Sequence, residues 1–366
     1  MQARSIRLWA RLHTGSSLLC TVFLLVLCVT GLPLIFHDEI DGLTVPPIAR
    51  QSPPGAAALP LAQLVARAQA RYPDQRVQFI FWPPDTEGVV HIGLAPDHEP
   101  DKNLHRVVLD AGNGAVLSEP SADRGMMAVV LRAHSELFAG VPGTLFVGAV
   151  GLVFIVALVS GLVLYGPFMR KSPFGRVRSA ARRTRWLDLH NLLSVVTVTW
   201  ALAVGVTGIV NALEKPLFAM WRGQELPKLL APYAGKPAPA VLAPIDDAIA
   251  VARAAAPGTT LTSVLYPYSR FTSPRHYLVW TKGNTPFTAH LFSAILIDVE
   301  TGRLTTRLAL PWYLRTLEIS RPLHFGDYGG LPLKIIWALF DLVTIVVLVS
   351  GLYLWIGRKR RTVQPS

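Results

Sequence analysis

The sequence has little charge, almost no cysteine and none of the common nucleotide-binding motifs. Only 16% of its 366 residues are charged and 51% are hydrophobic, a balance that points away from a wholly soluble protein. Cys20 and Cys28 are the only cysteines, so no disulfide framework is expected. No Gly-x-Gly-x-x-Gly turn and no Walker loop occurs. The sequence therefore predicts no NAD, flavin or ATP site.

Four apolar stretches are long enough to cross a bilayer, which takes roughly 20 residues. They are Leu18–Phe36, Thr144–Phe168, Leu192–Leu213 and Ile335–Ile356, and they predict transmembrane helices at 14–36, 143–168, 187–213 and 333–356. The first stretch follows three arginines, as a secretory signal does, but it is longer than such a signal and lacks a cleavage site, so we expect a retained helix. Only the fourth stretch contains a charge, Asp341. This carboxyl group could relay a proton, contact a cofactor or pair with a neighbouring helix, and we favour a structural hydrogen bond.

The net charge of +12 predicts membrane topology rather than nucleic-acid binding. Fourteen positive charges fall in three short segments, namely Arg4, Arg7 and Arg11; Arg170, Lys171, Arg176, Arg178, Arg182, Arg183 and Arg185; and Arg358, Lys359, Arg360 and Arg361. The positive-inside rule places both termini, the 169–185 loop and the 357–366 tail in the cytoplasm. The connections 37–133 and 214–323 then face the periplasm of a bacterial inner membrane.

An internal repeat organises the chain. An offset of 177 residues carries His13 onto His190 and Thr30-Gly31 onto Thr207-Gly208. A second offset, of 190 residues, carries His134 onto His324 and Ser160-Gly161 onto Ser350-Gly351. Each half therefore reads as a span, an exported segment and a second span.

The exported segments share a pattern of one helix followed by strands. Helix signals at 59–72 and 245–255 precede strand-like runs that end in Asp-x-x-x-Gly turns at Asp110 and Asp298. Pro267 would confine the run 264–268 to the edge of a sheet. We predict a mainly α membrane protein, a four-transmembrane-helix bundle with two small periplasmic α+β modules.

These motifs resemble those of the PepSY-associated transmembrane family, and most closely the FoxB-type siderophore-iron reductases. The resemblance covers nearly the whole chain and is carried by the Leu-His openings of spans 1 and 3, the segments 322–326 and 329–332, and the Asp-x-x-x-Gly strand ends. In the first half, Glu136 stands where the second half has Gly326. The resemblance implies a bacterial inner-membrane enzyme that reduces ferric siderophore iron to Fe(II).

Four histidines at repeat-related positions are candidate haem ligands, since imidazole is a common axial ligand of haem iron. Topology places His13 and His190 at the cytoplasmic face and His134 and His324 at the outer face. Without a Cys-x-x-Cys-His motif, two haems would be held noncovalently, as b-type groups. Cationic groups for the anionic propionates are available at both faces; the candidates are Arg7, Arg11 and Arg185 inside, and Arg132 and Arg321 outside.

The other six histidines, His37, His91, His98, His105, His276 and His290, have no metal-ligand spacing and are predicted to be solvated. His37 is a partial exception, because it ends span 1 at the outer face. Electrons would come from quinol or a separate reductase. Two alternatives stay open: a non-enzymatic PepSY protein that binds a peptide, envelope protein or metal complex, and a quinol-linked cytochrome that serves another periplasmic acceptor.

Overall fold

A computed structural model of the protein describes residues 2–44, 48–84, 86–96, 104–120, 125–169, 173–179, 181–267, 269, 272–285 and 288–363. His98, Arg170 and Lys171 lie outside the described residues, and so do the end of the 264–268 run and the side chains of the basic residues 358–361. The described chain divides into two compact units, a helical unit (1–43, 125–216 and 319–366) and a sheet unit (44–124 and 217–318).

Eleven α-helices occur in the described residues. They are α1 (Ala3–Ile35), α2 (His37–Thr44), α3 (Leu61–Arg71), α4 (Met126–Glu136), α5 (Gly140–Met169), α6 (Arg182–Ala212), α7 (Glu214–Met220), α8 (Leu226–Leu230), α9 (Ile245–Ala255), α10 (Trp312–Phe325) and α11 (Gly330–Val363). Short 3-10 or π turns lie at Trp221–Glu225, Ala231–Tyr233, Thr288–His290 and Asp327–Gly329.

Four helices of the helical unit are long and apolar enough to cross a membrane. Among the described residues they are α1, α5, α6 and α11, and each contains the predicted apolar stretch to within one residue at either end of that stretch. Large apolar side chains on them remain exposed, such as Leu19 at 66%, Leu152 at 57% and Leu339 at 56%. Apolar surface of this extent on a bundle is suited to lipid rather than water. The chain is therefore a membrane protein with four candidate spans.

The described part of the sheet unit contains eight strands. They are β1 (Arg76–Phe81), β2 (Val89–Ala95), β3 (His105–Asp110), β4 (Val116–Ser118), β5 (Thr259–Leu265), β6 (His276–Gly283), β7 (Phe292–Asp298) and β8 (Leu304–Leu308). They form one antiparallel sheet in the order β4-β3-β2-β1-β5-β6-β7-β8. The strands of both predicted modules thus share one sheet, because β1 pairs with β5.

Helices α3 and α9 cover one side of this sheet, which we call the first face. Alternate strand residues such as Ile80, Ile92 and Ile295 are fully buried against them, as expected for the apolar side of an antiparallel sheet. The Asp246 carboxylate at the start of α9 accepts hydrogen bonds from the backbone N–H groups of Leu61 and Ala62 at 2.7 and 3.0 Å. It therefore caps the N-terminus of α3, where a negative charge is favoured.

One prediction about the sheet is wrong. Pro267 does not make its segment an edge strand, because β5 ends at Leu265 and pairs with β1 on one side and β6 on the other. The proline follows the strand, where its missing N–H group interrupts no ladder.

Candidate functional site

His324 contacts α6 through a backbone carbonyl, a hydroxyl group and a glycine. Its Nδ1 atom lies 3.1 Å from the carbonyl oxygen of Val204 and 3.1 Å from Oγ1 of Thr207. A Cβ atom on Gly208 would lie only 3.2 Å from Cε1 of His324, so glycine allows this close approach of the ring. We call this arrangement the Thr-Gly contact.

His134 makes the same Thr-Gly contact with α1. Its Nδ1 atom lies 3.0 Å from the carbonyl oxygen of Leu27 and 3.1 Å from Oγ1 of Thr30. A Cβ atom on Gly31 would again lie 3.2 Å from the histidine Cε1. Each α1 residue in this contact lies 177 positions before its counterpart on α6.

His13 contacts α5 in a similar way, with serine in place of threonine. Its Nδ1 atom lies 3.0 Å from the carbonyl oxygen of Ala157 and 3.4 Å from Oγ of Ser160. A Cβ atom on Gly161 would lie 3.0 Å from Cε1 of His13. We call this arrangement the Ser-Gly contact.

His190 makes the Ser-Gly contact with α11. Its Nδ1 atom lies 3.1 Å from the carbonyl oxygen of Val347 and 3.0 Å from Oγ of Ser350. A Cβ atom on Gly351 would lie 3.3 Å from Cε1 of His190. The residues of α11 in this contact lie 190 positions after their counterparts on α5.

These contacts fix the tautomer of each ring. The hydroxyl of Thr207 donates its proton to the Ala203 carbonyl at 2.7 Å, and that of Ser350 donates to the Val347 carbonyl at 2.8 Å. The hydroxyl oxygens and the carbonyls can therefore only accept from the histidines, so Nδ1 carries the imidazole proton. The lone pair of Nε2 is then available for a metal, with the other ring nitrogen oriented as in many metal-binding histidines.

The four rings form two pairs. The ring centroids of His134 and His324 are 6.4 Å apart and their planes are inclined by 63°. His13 and His190 are close enough to interact electrostatically. These are the two pairs expected from the sequence, and their assignment to the cytoplasmic and outer faces stays a prediction.

The centroid distance of the His134–His324 pair matches that expected for two imidazoles bound to one haem iron. A metal–imidazole bond is about 2 Å long and Nε2 lies about 1 Å from its ring centre, so two axial imidazoles have centroids about 6 Å apart. In the described part of the chain, no third His, Cys, Asp or Glu joins either pair to make an ion site. Haem needs none, because its macrocycle supplies the remaining nitrogen ligands.

The arginines predicted to serve the haem propionates have other partners or face outward. Arg132 donates from Nε to Glu136 at 3.1 Å, and Arg321 forms an ion pair with Glu214. Glu136, which replaces the glycine of the second half, also accepts from Lys215 at 3.5 Å. The inner candidates Arg7, Arg11 and Arg185 are exposed. Binding of haem propionates by any of these five arginines stays a prediction.

Asp341 lies inside the bundle and is only 6% exposed. The thiol of Cys28 on α1 lies beside this carboxyl group, and the structural hydrogen bond favoured from the sequence stays a prediction. Its Oδ2 atom and the indole nitrogen of Trp200 have no hydrogen-bond partner among the described residues. The ring of Trp200 lies 5.9 Å from that of Phe340, next to Asp341.

Among the other described histidines, His276 and His91 are less exposed than the sequence predicts. His276 is fully buried, so the prediction is wrong for it; its Nδ1 lies 2.6 Å from Oγ of Ser273. His91 is half-buried. At the end of span 1, Nδ1 of His37 lies 3.0 Å from the carbonyl oxygen of Leu34, and its Nε2 lies 3.0 Å from the carboxylate of Asp38. Both of its ring nitrogens are therefore already engaged.

Sequence reasoning missed the role of the Ser-Gly and Thr-Gly pairs. Glycines in membrane spans typically permit close packing of helices, whereas each of these four lies against a histidine ring. The sequence did contain a signal for this role. The Thr-Gly pairs recur at the 177-residue offset of His13 and His190, and the Ser-Gly pairs recur at the 190-residue offset of His134 and His324.

Comparison with known proteins agrees with the sequence motifs. The uncharacterized protein PA4219 of Pseudomonas aeruginosa is 26% identical over 251 residues, a match that covers 63% of this chain and 63% of the length of that relative. The PepSY-associated TM region matches residues 10–358. This match extends over nearly the whole chain, from the beginning of the first span to the end of the last. The chain therefore belongs to the PepSY-associated transmembrane family.

Proposed function

We propose that the chain is a di-haem b-type oxidoreductase of the bacterial inner membrane that reduces ferric siderophore iron to Fe(II) at the periplasmic face. His13 and His190 would hold one haem, and His134 and His324 the other. Both termini would lie in the cytoplasm, as the basic segments predict. The proposal also treats the chain as an internal repeat, in which each half supplies one ligand to each haem.

The observation that carries this proposal is the common geometry of four histidines. Each ring donates from Nδ1 to a backbone carbonyl, lies beside a hydroxyl group and has a glycine behind it. Four such positions in one bundle, at two recurring offsets, exceed what helix packing requires. Fixed neutral imidazoles with an available Nε2 are suited to metal ligation.

The protein's own groups would hold and orient the cofactors. The carbonyl and hydroxyl acceptors prevent each imidazole from rotating, and the adjacent glycine lets the ring lie close to the facing helix. The surrounding apolar helices exclude water, and such burial influences the reduction potential of a haem. When bound, haem supplies one-electron redox chemistry.

One electron reduces Fe(III) in a siderophore to Fe(II), which the chelator holds more weakly. The donor would be quinol in the bilayer or a separate cytoplasmic reductase, since the sequence contains no nicotinamide or flavin motif. The placement of two histidine pairs at opposite ends of the spans would allow electrons to cross the membrane within one chain.

Two other functions are compatible with the family. A non-enzymatic protein could use its sheet unit to bind a peptide, an envelope protein or a metal complex, and such a protein would contain no haem. A quinol-linked cytochrome would contain both haems but would serve a different periplasmic acceptor.

Purification from haem-replete cells tests the haem ligands directly. We expect two haems per chain and a Soret band that shifts on addition of dithionite. His324→Ala should remove only the outer haem and His190→Ala only the inner haem, because each deletes one of two axial ligands. His105→Ala, a sheet-unit histidine hydrogen-bonded to Gln75, is the matched control and should keep both. A colourless wild-type protein would contradict the proposal and leave the non-enzymatic function.

A second measurement identifies the acceptor. Stoichiometrically prereduced protein, freed of excess dithionite, should be reoxidised by ferric siderophores, with Fe(II) trapped by a chromogenic chelator. Reoxidation by dioxygen alone, with no Fe(II) formed from any ferric complex, would instead favour the cytochrome function.

A further inference from the structure

The side of the sheet opposite α3 and α9, which we call the second face, differs between its two ends. On β6, β7 and β8 it carries apolar residues that are buried, Leu278 and Leu296 at 0% exposure and Leu308 at 5%. On β1, β2 and β3 it carries Phe79, Phe81, His91 and Arg106, all only half-buried. The second face also carries buried residues on β2 and β3, such as Val108 at 0% exposure, so the four half-buried side chains form a partly exposed patch within it.

The strand register places these accessible side chains together. Phe81 pairs with His91, and their rings meet edge to face with centroids 5.9 Å apart. Phe79 pairs with Gly93 and its ring covers that glycine, where a Cβ atom would lie 2.3 Å from the ring. Arg106 lies opposite Gly93 on β3, so it is a diagonal neighbour of His91.

His91 and Arg106 each have a buried nitrogen atom that makes no hydrogen bond to another described residue. These atoms are Nδ1 of His91 and Nε of Arg106. Burial, together with the nearby Arg106 guanidinium, lowers the pKa of His91 to about 4, so Arg106 supplies the positive charge at neutral pH. No acidic group among the described residues pairs with Arg106, and a guanidinium beside aromatic rings is suited to a planar anionic group.

Trp280 extends the aromatic surface towards the second half of the sheet. It pairs with Ser263, which itself pairs with Phe81, and its side chain is also half-buried. Aromatic rings and a few polar groups that converge on one side of a sheet are typical of small-molecule sites.

We propose that Phe79, Phe81, His91, Arg106 and Trp280 bind the acceptor, and that this acceptor is a ferric chelate with net negative charge, built on carboxylate or catecholate oxygens. This inference rests on the proposed function, since it names the class of substrate that the reductase would accept. The guanidinium of Arg106 would bind a peripheral chelate oxygen, and His91 would contribute a neutral hydrogen-bonding group. The three aromatic residues would contact the apolar or aromatic parts of the chelate.

Gallium(III) complexes test this site separately from electron transfer, because gallium(III) is not reduced under these conditions. Binding of gallium citrate, which is anionic, and of a gallium trishydroxamate without negative charge would be measured by calorimetry on the full-length protein in detergent. We expect Arg106→Gln to weaken citrate-complex binding by about tenfold or more and to change trishydroxamate binding by less than about twofold.

Arg253→Gln is the matched control, since Arg253 is exposed on α9 at the first face and the substitution removes the same charge. It should leave the affinity for both complexes unchanged. Arg106→Lys, which keeps the charge, should retain more citrate-complex binding than Arg106→Gln; it also provides a measurement if the glutamine variant is unstable. Equal citrate-complex affinity in the Arg106→Gln, Arg253→Gln and wild-type proteins would overturn the inference.

The outcomes separate this inference from the proposed function. Charge-selective gallium binding in a protein without haem would support the site and reject the reductase. If the protein contains two haems but its affinity for gallium citrate does not change in the Arg106 variants, the binding site would be rejected and the proposed reductase function would stand.

Discussion

The two halves of the chain share their histidine contacts but differ in most of the groups around them. The first half, through α5, and the second half, from α6, each contain one Thr-Gly contact and one Ser-Gly contact. The second half alone has a carboxyl group inside its last span, Asp341, where the first half has Gly151. On the second face the first half carries His91 and Arg106, whereas the second half carries buried leucines and, beside Trp280, the half-buried Lys282.

This difference separates what both halves must do from what only one half does. A ligand pair formed across two halves requires the same geometry in each, so its contacts recur. A substrate needs only one binding surface, so the patch around Arg106 need not recur in the second half, where Leu278 and Leu296 are buried on the same face. The asymmetric groups are therefore the places to look for specificity, and the shared ones for cofactor binding.

The largest expected effect comes from disturbing one shared contact. Gly31→Val places a branched side chain against His134, whose Cε1 would lie 3.2 Å from the new Cβ; overpacking of this kind displaces side chains. We expect the haem content of the purified protein to fall from two per chain to one, measured by the pyridine haemochrome assay. Gly208→Val should have the same effect through His324.

Gly15→Val is the control for this substitution, because Gly15 lies on the same helix and a Cβ there would meet nothing within 4 Å. It should retain two haems. Full haem content in the Gly31 variant would contradict the assigned ligand geometry. Unequal losses in the Gly31 and Gly208 variants would show that Glu136, present in the first half only, changes the outer site.

The helical unit and its histidine pairs could be predicted from the sequence because both depend on local patterns. Spans follow from the length of apolar runs, and the pairing of His134 with His324 follows from chain order and membrane orientation. The contacts behind the rings could not be predicted, since Gly31 and Gly208 are as typical of helix packing as of histidine packing.

The single sheet could not be predicted because it depends on a pairing between distant strands. Alternation in β1 and β5 indicates which residues face the core, but it does not indicate which edges meet. The burial of His276 could not be predicted for the same reason, because it depends on the pairing of β6 with β7, in which His276 lies opposite Asp298. The short polar segment that contains His276 does not indicate that this side chain is buried.

A smaller effect is expected from the Asp turns that end each set of strands. Asp110 accepts hydrogen bonds from the backbone N–H and hydroxyl of Ser52 at 2.7 and 2.6 Å, and from Gly112 at 2.8 Å. Among the described residues, Asp298 accepts only from its own turn, at Glu300 and Thr301. We expect Asp110→Asn to lower the free energy of unfolding by about 2–3 kcal/mol and Asp298→Asn to lower it less, measured by thermal unfolding at pH 7.

The pH dependence of the Asp110 effect has a defined sign. Burial alone would raise the pKa of Asp110, but the hydrogen bonds from Ser52, Gly112 and Gln51 lower it well below its usual range. A lowered pKa adds stability above the unfolded-state pKa of about 4, and this stability is lost as the pH falls towards the folded-state value. The difference between wild type and Asp110→Asn should therefore shrink between pH 5 and pH 3, as a rough range. A difference that is constant over this range would show that the carboxylate charge does not matter.

The smallest effect is expected at Asp341, the carboxyl group that only the second half possesses. If its role is the hydrogen bond with Cys28, Asp341→Asn and Cys28→Ala should each destabilise the protein by about 1 kcal/mol, and the double variant should cost less than the sum because the two residues share one interaction. Haem content and the rate of ferric-chelate reduction should not change in any of the three. A rate that falls in the Asp341 variant alone, with unfolding unaffected, would instead assign this carboxyl group to proton transfer and make the second half the one that couples protons to electrons.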